Sequence, residues 1–133
     1  MTCFWDGILN GLQMTDLNLY DISNKNKEAF ITFLKSKNSH ELFKKVRWNG
    51  FLLKEQEIKE HMEMIKNYNI KGIYNGHLTS TCDSFLLLIT SLFKLNINHR
   101  YLSCLIRYKY DGNERGILNV SSNRGHFRFV SRS

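Results

Sequence analysis

Apolar residues recur at helical spacing through the first two thirds of the chain. Phe4, Trp5, Ile8, Leu9 and Leu12 fall on one stripe, which predicts an amphipathic helix over residues 4–12. After a loop or cap region at 16–23, the same spacing predicts helices over 23–37, 39–46, 53–68 and 80–95. The last of these is apolar on nearly every side, so we expect it at the centre of the domain.

Beyond residue 96 the period of the pattern shortens to about two, as in β-strands. Strands are predicted over 97–110, 117–122 and 126–130, with turns at 111–116 and 123–125. A further turn or short loop is predicted over 74–78. Helices come first and strands last, which favours an α+β fold. We expect a single domain over 1–133, with helices packed on a small antiparallel sheet formed mainly by the C-terminal third.

Two glycines interrupt the first predicted helix. Gly7 and Gly11 are four residues apart and share a helix face, and each costs about 1 kcal/mol relative to alanine in a helix interior. Either another part of the backbone must approach this face closely, or the helix is simply weak. The sequence leaves both interpretations open.

The charge and the hydropathy narrow the class of protein. The net charge of +7 is compatible with a nucleic acid or an acidic partner, although a surface of solvated lysines is the simpler explanation. No secretory signal is visible, and the longest apolar stretch, 85–93, is too short to span a bilayer. We therefore expect a soluble, cytoplasmic protein without a membrane association.

The cysteines indicate a reducing environment. Cys3, Cys82 and Cys104 are odd in number and irregularly spaced, which argues against a disulfide framework. No CxxC or HxxxH spacing is present, so we predict neither a structural zinc site nor any other cofactor.

The most reactive arrangement that the sequence offers joins its two ends. Cys3 stands at the start of the first predicted helix, and His126 opens the last predicted strand. Free N–H groups at a helix N-terminus stabilise a thiolate, and an imidazole within reach can take the thiol proton. Cysteine on an N-terminal helix and histidine on a late strand is the order found in papain-like hydrolases.

Other residues compete for these roles. Cys82 lies in the first turn of the buried helix, behind a capping-box pattern formed by Ser80 and Asp83, but a buried thiol is usually inert. Cys104 alternates with apolar strand residues, so core packing is expected there. A third catalytic residue is not evident, since Asn119 qualifies only if the strand register places it beside His126.

The remaining histidines offer no visible partner in the sequence. We expect His40, His61 and His99 to occupy surface or strand positions, and His77 to be a loop residue. Asp6, one turn beyond Cys3, is expected to stabilise the helix start.

Four segments together resemble ovarian-tumour (OTU) family cysteine proteases. The segment "TCFWDGILNGL" resembles the family's nucleophile segment, and "KEAFITFLKSKN" its second helix. The segment "STCDSFLLLITSLFKLNI" resembles the buried helix that leads into a strand, and "ILNVSSNRGHFRFV" the closing hairpin that presents the histidine. The four segments occur in the family's order and are distributed over nearly the whole chain, from residue 2 to residue 130.

The resemblance implies a papain-like OTU fold and a thiol-dependent deubiquitinase. Cys3 would be the nucleophile and His126 the general base, and no cofactor or metal would be needed. The substrate would be the C-terminal tail of ubiquitin or a ubiquitin-like protein, or else a viral polyprotein junction. For a protein of a virus or an intracellular pathogen, the location would be the host cytoplasm.

The sequence also departs from the family pattern. Only two residues stand before Cys3, where the family has Asp-Gly-x, and Ser80-Thr81 replaces the usual Trp-Gly. In the family, the residue two positions after the histidine usually orients the imidazole ring through a hydrogen bond. Here that residue is Arg128, and an arginine cannot accept a hydrogen bond. These departures fit divergent viral members that use a Cys–His dyad, and they also fit a catalytically dead scaffold.

Such a scaffold would bind a protein partner or RNA through a basic face. Arg124, Arg128 and Arg132 surround His126 in the sequence. Because the tail of ubiquitin is itself rich in arginine, these residues fit an acidic partner or RNA phosphate better than ubiquitin.

Overall fold

A computed structural model describes residues 3–73 and 82–133. The helices in this part of the chain are α1 (Cys3–Gly11), α2 (Met14–Leu17), α3 (Lys27–Lys37), α4 (His40–Phe43), α5 (Glu55–Lys66) and α6 (Cys82–Phe93). The strands are β1 (Val46–Trp48), β2 (Phe51–Leu52), β3 (Leu95–Tyr101), β4 (Cys104–Tyr110), β5 (Gly116–Ser122) and β6 (Phe127–Arg132). Single 3-10 turns lie at Asn18–Tyr20 and Ile70–Gly72.

The six strands form one mixed sheet in the order β2-β1-β4-β3-β5-β6. All neighbouring strands are antiparallel except β3 and β5, which are parallel. The parallel pair arises because the loop after β4 crosses the N-terminal end of β3. There the Arg115 N–H donates to the carbonyl of Lys94, the residue before β3, at 2.7 Å. The strand β5 then starts beside Leu95 on the far edge of β3.

The prediction of helices followed by mostly C-terminal strands is confirmed, but three details of the sheet were wrong. The sheet is not purely antiparallel, and residues 46–52 contribute two further strands. In addition, the predicted strand 97–110 is a hairpin of β3 and β4 that turns at Leu102. Leu102 has a φ of 54°, a left-handed conformation that glycine or asparagine usually supplies, so the sequence carried no turn signal there.

The helix α6 forms the centre of the core, as predicted. Every residue from Ser84 to Phe93 is buried, and α6 packs against α3, α4 and α5 on one side and against β1, β3 and β4 on the other. The helix ends because Lys94 adopts a φ of 54°, after which the chain enters β3 directly. The predicted extent of 80–95 was therefore too long at its C-terminal end, and residues 80 and 81 lie outside the described residues.

The glycines of α1 allow this helix to lie directly on the sheet. A Cβ atom on Gly7 would lie 2.7 Å from Cδ1 of Phe127, and one on Gly11 would overlap with Cδ1 of Leu118. Both distances are shorter than a van der Waals contact, so close packing, rather than mere helix weakness, explains the two glycines. Because β6 follows His126 directly, this contact ties the helix that carries Cys3 to the strand that follows His126.

A buried carboxylate holds the ends of several elements together. Asp16 is fully buried, and its oxygens accept hydrogen bonds from Arg132 at 2.7 and 3.0 Å and from Arg115 at 2.7 Å. The Gln13 N–H donates to it at 2.7 Å. Burial alone would raise the pKa of Asp16, but the hydrogen bonds from Arg132, from the Gln13 backbone and from Arg115 bring it below its ordinary value.

This ion cluster revises the interpretation of the C-terminal arginines. The Arg132 side chain is largely buried by its contacts with Asp16 and with the Gly11 carbonyl. It is a structural residue that joins β6 to the end of α1, and it does not belong to a basic surface beside His126. Arg124 and Arg128 remain exposed.

Candidate active site

A cleft of about 270 Å³ opens between the start of α1, the start of α6 and the turn that joins β5 to β6. Cys3 and His126 both line it, although 122 residues separate them in the chain. Cys82, Asp83 and His99 contribute further polar groups to its wall. The fold thus brings the two predicted site residues into one cavity.

Cys3 is the first residue of α1 and is half-buried. The next two side chains, Phe4 and Trp5, anchor the helix, since Phe4 contacts Phe127 at 4.8 Å between ring centroids and Trp5 contacts Phe85 at 4.9 Å. The first N–H groups of a helix have no partner within it, so the thiol lies where the backbone favours negative charge.

Asp6 lies at the start of α1, as predicted, and it also contacts a second helix. Its carboxylate lies in the first turn of α1, where the helix dipole favours negative charge. It forms an ion pair with Lys27 at 2.9 Å, which links α1 to the beginning of α3. The pair is exposed to solvent, so we assign it a minor stabilising role.

His126 follows a tight turn and directly precedes β6. The Asn123 side chain accepts from the Gly125 N–H at 2.9 Å, and the Asn123 N–H donates to the His126 carbonyl at 2.9 Å. The next residue, Phe127, is buried and fixes the end of the turn against α1. The imidazole itself is exposed and has no hydrogen-bond partner among residues 3–73 and 82–133.

Asn119 does not serve as the third member of a triad. The strand register pairs it with Ser131, whereas Phe127 pairs with Ser122 at the other end of the hairpin. Its amide donates to Ser131 and its carbonyl accepts from Asn98 at 3.2 Å. The strand register therefore does not place Asn119 beside His126, which was the condition for its role as a third catalytic residue.

Cys82 lies at the first residue of α6 and also lines the cleft. Burial raises the pKa of the Cys82 thiol well above its usual range, and the nearby Asp83 and Cys3 raise it further. This environment keeps the thiol protonated and makes Cys82 a poor nucleophile. The capping box predicted with Ser80 lies outside the described residues.

The expectation for Cys104 was wrong. This cysteine opens β4 at the tip of the hairpin and is exposed, because the chain turns at Leu102 and Ser103 instead of continuing as one buried strand. It does not line the cleft.

Three histidines that seemed to lack partners have them. His40 bonds to Glu55 at 2.6 Å, His61 to Ser84 at 2.8 Å and His99 to Ser122 at 2.6 Å. The expectation of surface or strand positions is met by His40, whose side chain is 43% exposed, and by His99, which lies on β3 although it is only 5% exposed. It is not met by His61, which is half-buried on α5. His77 lies outside the described residues.

His99 and Asp83 are the cleft residues that the sequence reasoning missed. His99 is in phase with the buried Leu95 and Ile97, so strand alternation alone would have placed it on the inner face of the sheet. Burial lowers the pKa of His99, although Asp83 opposes this, and the ring is neutral near pH 7. Asp83 accepts a hydrogen bond from the Tyr108 hydroxyl, a contact that only the folded sheet creates.

Comparison of this chain with protein-family models, with curated proteins and with solved structures gives no match. Within residues 3–73 and 82–133, no group of three His, Cys, Asp or Glu side chains is arranged to hold a metal ion. None of the helices in this part of the chain has the length and apolar character needed to cross a membrane.

Proposed function

We propose that this protein is an OTU-like cysteine hydrolase with a papain-like arrangement of its nucleophile and base. Cys3 attacks the carbonyl carbon of the last residue in the C-terminal tail of ubiquitin or a ubiquitin-like protein. His126 takes the thiol proton and later gives it to the leaving group. The observation that carries the proposal is that Cys3, at the N-terminus of α1, and His126, before β6, line the same cleft. The four OTU-like segments of the sequence support it independently.

The reaction follows from the two side chains. His126 takes the thiol proton of Cys3, and the sulfur forms a bond to the substrate carbonyl carbon. The imidazolium then gives its proton to the leaving amine as the carbon–nitrogen bond breaks, which leaves a thioester on Cys3. Water, deprotonated by His126, cleaves that thioester and restores the free thiol.

The start of α1 also supplies the oxyanion site in this proposal. The proposed donors are the backbone N–H of Cys3 and a neighbouring amide, and each such donor contributes about 3–4 kcal/mol to transition-state stabilisation. The arrangement does not require a metal ion.

The cleft has features that bear on the substrate. Asp83 lines it and provides a carboxylate for a basic side chain of the tail. Arg124 lines it too and opposes such a side chain. A viral polyprotein junction would undergo the same chemistry. A panel of ubiquitin, ubiquitin-like proteins and peptides that span viral polyprotein junctions distinguishes these substrates.

A catalytically dead OTU-like scaffold is the second candidate function. The observation that favours it is the His126 ring, which has no hydrogen-bond partner in the described part of the chain, while the exposed Arg128 occupies the family's orienting position. A ring without an orienting partner spends less time in the productive geometry.

A ubiquitin probe that carries a C-terminal electrophile tests the proposal. The wild-type protein should form a covalent adduct, Cys3→Ala should form none, and Cys82→Ala should react like the wild type because the Cys82 thiol stays protonated. His126→Ala should slow adduct formation at least about 100-fold. If wild-type protein forms no adduct with this probe and cleaves neither ubiquitin-like proteins nor the polyprotein junctions, the hydrolase proposal fails and the scaffold is favoured.

A further inference from the structure

The sheet has a second face that the helices leave open. Its inner face carries the buried Ile97, Tyr108 and Leu118, and α1 and α6, the helices that pack most extensively on the sheet, both lie there. Side chains alternate along a strand, so the residues between these buried ones point to the opposite side. We call this opposite side the outer face; it is defined by Arg47, Arg100, Arg107, Lys109 and Arg128 together with three asparagines, Asn96, Asn98 and Asn119.

The outer face is strongly basic. The six strands, all of them within the described residues, contain no aspartate or glutamate. Arg47 lies directly opposite Lys109, and Arg100 lies diagonally across from Arg107. Like charges directly opposite each other repel, so an anion bound to this face would relieve repulsion among its cations.

Few carboxylates offset this charge. Arg47 pairs with Asp111 at 3.0 Å in the loop after β4. Arg100, Arg107, Lys109 and Arg128 are exposed and form no ion pair with any residue in the ranges 3–73 and 82–133. Four cations are thus available on one surface of the sheet.

Amide side chains lie between the cations. Asn98 pairs with Arg107 on one side and with Asn119 on the other, and its amide donates to Asn119 at 3.2 Å. Asn96, Asn98, Arg107 and Lys109 also line a depression of about 660 Å³ on this face. The Asn96 oxygen accepts from the Tyr110 N–H at 2.9 Å, so within the described part of the chain the Asn96 NH2 group and the Asn98 oxygen remain to bind the edges of unpaired bases, while arginine and lysine bind phosphates.

We propose that the outer face binds single-stranded nucleic acid, with its phosphates on Arg100, Arg107, Lys109 and Arg128 and its bases toward the asparagines. From β1 to β6 the face spans four strand spacings, about 19 Å, which accommodates several nucleotides. A duplex hides its base edges from such a surface, and competition by polyglutamate tests whether an acidic polypeptide is bound instead. The binding site lies across the sheet from α1 and does not depend on Cys3.

The salt dependence of binding to a labelled 12-nucleotide oligouridine tests this proposal. Neutralising four phosphates of a single strand predicts a slope of log K against log salt of about −2.8, or a loss of about 50-fold in affinity between 50 and 200 mM KCl. The double variant Arg107→Ala/Lys109→Ala should reduce the slope to about −1.4 and the salt-induced loss to about 7-fold. Cys3→Ala should bind like the wild type, whether or not the protein is a hydrolase.

A matched control removes the same charge from the helical side. Lys59 and Lys66 are exposed on α5, and Lys59→Ala/Lys66→Ala should leave affinity and slope nearly unchanged. The proposal is overturned if both double variants weaken binding equally, because net charge alone would then explain it. It is also overturned if duplex RNA binds more tightly than the single strand, if polyglutamate competes as well as RNA does, or if no binding is detected at 50 mM KCl.

Discussion

Placing a methyl group on Gly7 tests how the packing of α1 positions the cleft. A Cβ there would lie 2.7 Å from Cδ1 and 2.9 Å from Cε1 of Phe127, and 3.4 Å from the backbone nitrogen of Phe129. The Phe127 ring cannot simply rotate away, because it lies between Phe4, at 4.8 Å, and His99, at 5.4 Å between ring centroids. The Gly7→Ala change therefore moves the helix or one of these rings.

The net effect follows from two opposing contributions. Alanine improves the intrinsic helix propensity by about 1 kcal/mol over glycine. Overpacking a tight interface costs about 1–3 kcal/mol, and the upper part of that range applies here because aromatic rings and backbone surround the site. We therefore expect the free energy of unfolding of Gly7→Ala to fall by about 1–2 kcal/mol.

Urea unfolding followed by tryptophan fluorescence measures this change, and Asn10→Ala provides the control. Asn10 is exposed on the same helix, so alanine there should stabilise the protein by a few tenths of a kcal/mol. Under conditions where Gly7→Ala is still folded, it should also react more slowly with the ubiquitin probe, because α1 carries Cys3. If Gly7→Ala instead stabilised the protein as much as Asn10→Ala does, or more, the close packing of α1 on β6 would be refuted.

Three further predictions concern the buried carboxylate of Asp16, the histidines with a lowered pKa and the cysteines. Asp16→Asn should reduce the free energy of unfolding at pH 7 by about 3–5 kcal/mol in urea titrations, because it leaves two arginines without their buried anion. The pKa of Asp16 is lowered on folding. The carboxylate therefore stabilises the folded protein above the unfolded pKa near 3.8, and this stabilisation is lost as the pH falls through the lower folded value. Asp16→Asn should accordingly flatten the acid limb of the stability curve. Burial lowers the pKa of His61 and His99, so below about pH 6.5 the unfolded state binds more protons than the folded state. The free energy of unfolding should therefore decrease from about pH 7.5 to 5.5. The decrease should be smaller in His61→Phe/His99→Phe. In mass-spectrometric labelling with a maleimide at pH 7, the exposed Cys104 should react faster than Cys82.

Each of these expectations has a contrary result. An acid limb that is equally steep in Asp16→Asn would show that the ion cluster does not govern acid stability. Stability that is constant between pH 7.5 and 5.5 would contradict neutral, buried histidines. Labelling of Cys82 as rapid as that of Cys104 would contradict a protonated, buried thiol.

The helices could be predicted because their apolar positions repeat over several turns. For α6, apolar residues on nearly every side predicted its burial, and the stripe on α1 predicted which side chains enter the core. The ends of these helices were less predictable. The end of α6 depends on Lys94 adopting a left-handed φ, which no residue-type preference indicates.

The sheet was harder to predict because its pairing is long-range. β1 and β2 are only three and two residues long, too short to show an alternating pattern, and they are recognisable only once β4 provides a partner. The turn at Leu102 lacks glycine, asparagine and proline, so β3 and β4 appeared as one strand, and Cys104 was wrongly expected in the core.

The two ends of the candidate site were predictable because each sits at an element boundary that the sequence marks. Cys3 precedes an apolar stripe, and His126 follows the turn residues Asn-Arg-Gly. The other cleft residues were not predictable, since Asp83 and His99 reach the cleft only through the packing of α6 on β3. The same holds for Arg132, whose buried partner Asp16 is 116 residues away.

In the proposed mechanism, His126 activates the Cys3 thiol across the cleft that both residues line. The most direct test is the rate at which iodoacetamide alkylates Cys3 at pH 7 in a Cys82→Ser/Cys104→Ser background, with and without His126→Ala. A protein that retains Cys104 alone provides the rate of an exposed thiol. We predict that Cys3 reacts at least about tenfold faster than Cys104 and that His126→Ala abolishes most of this difference. Equal rates for Cys3 with and without His126 would contradict the account.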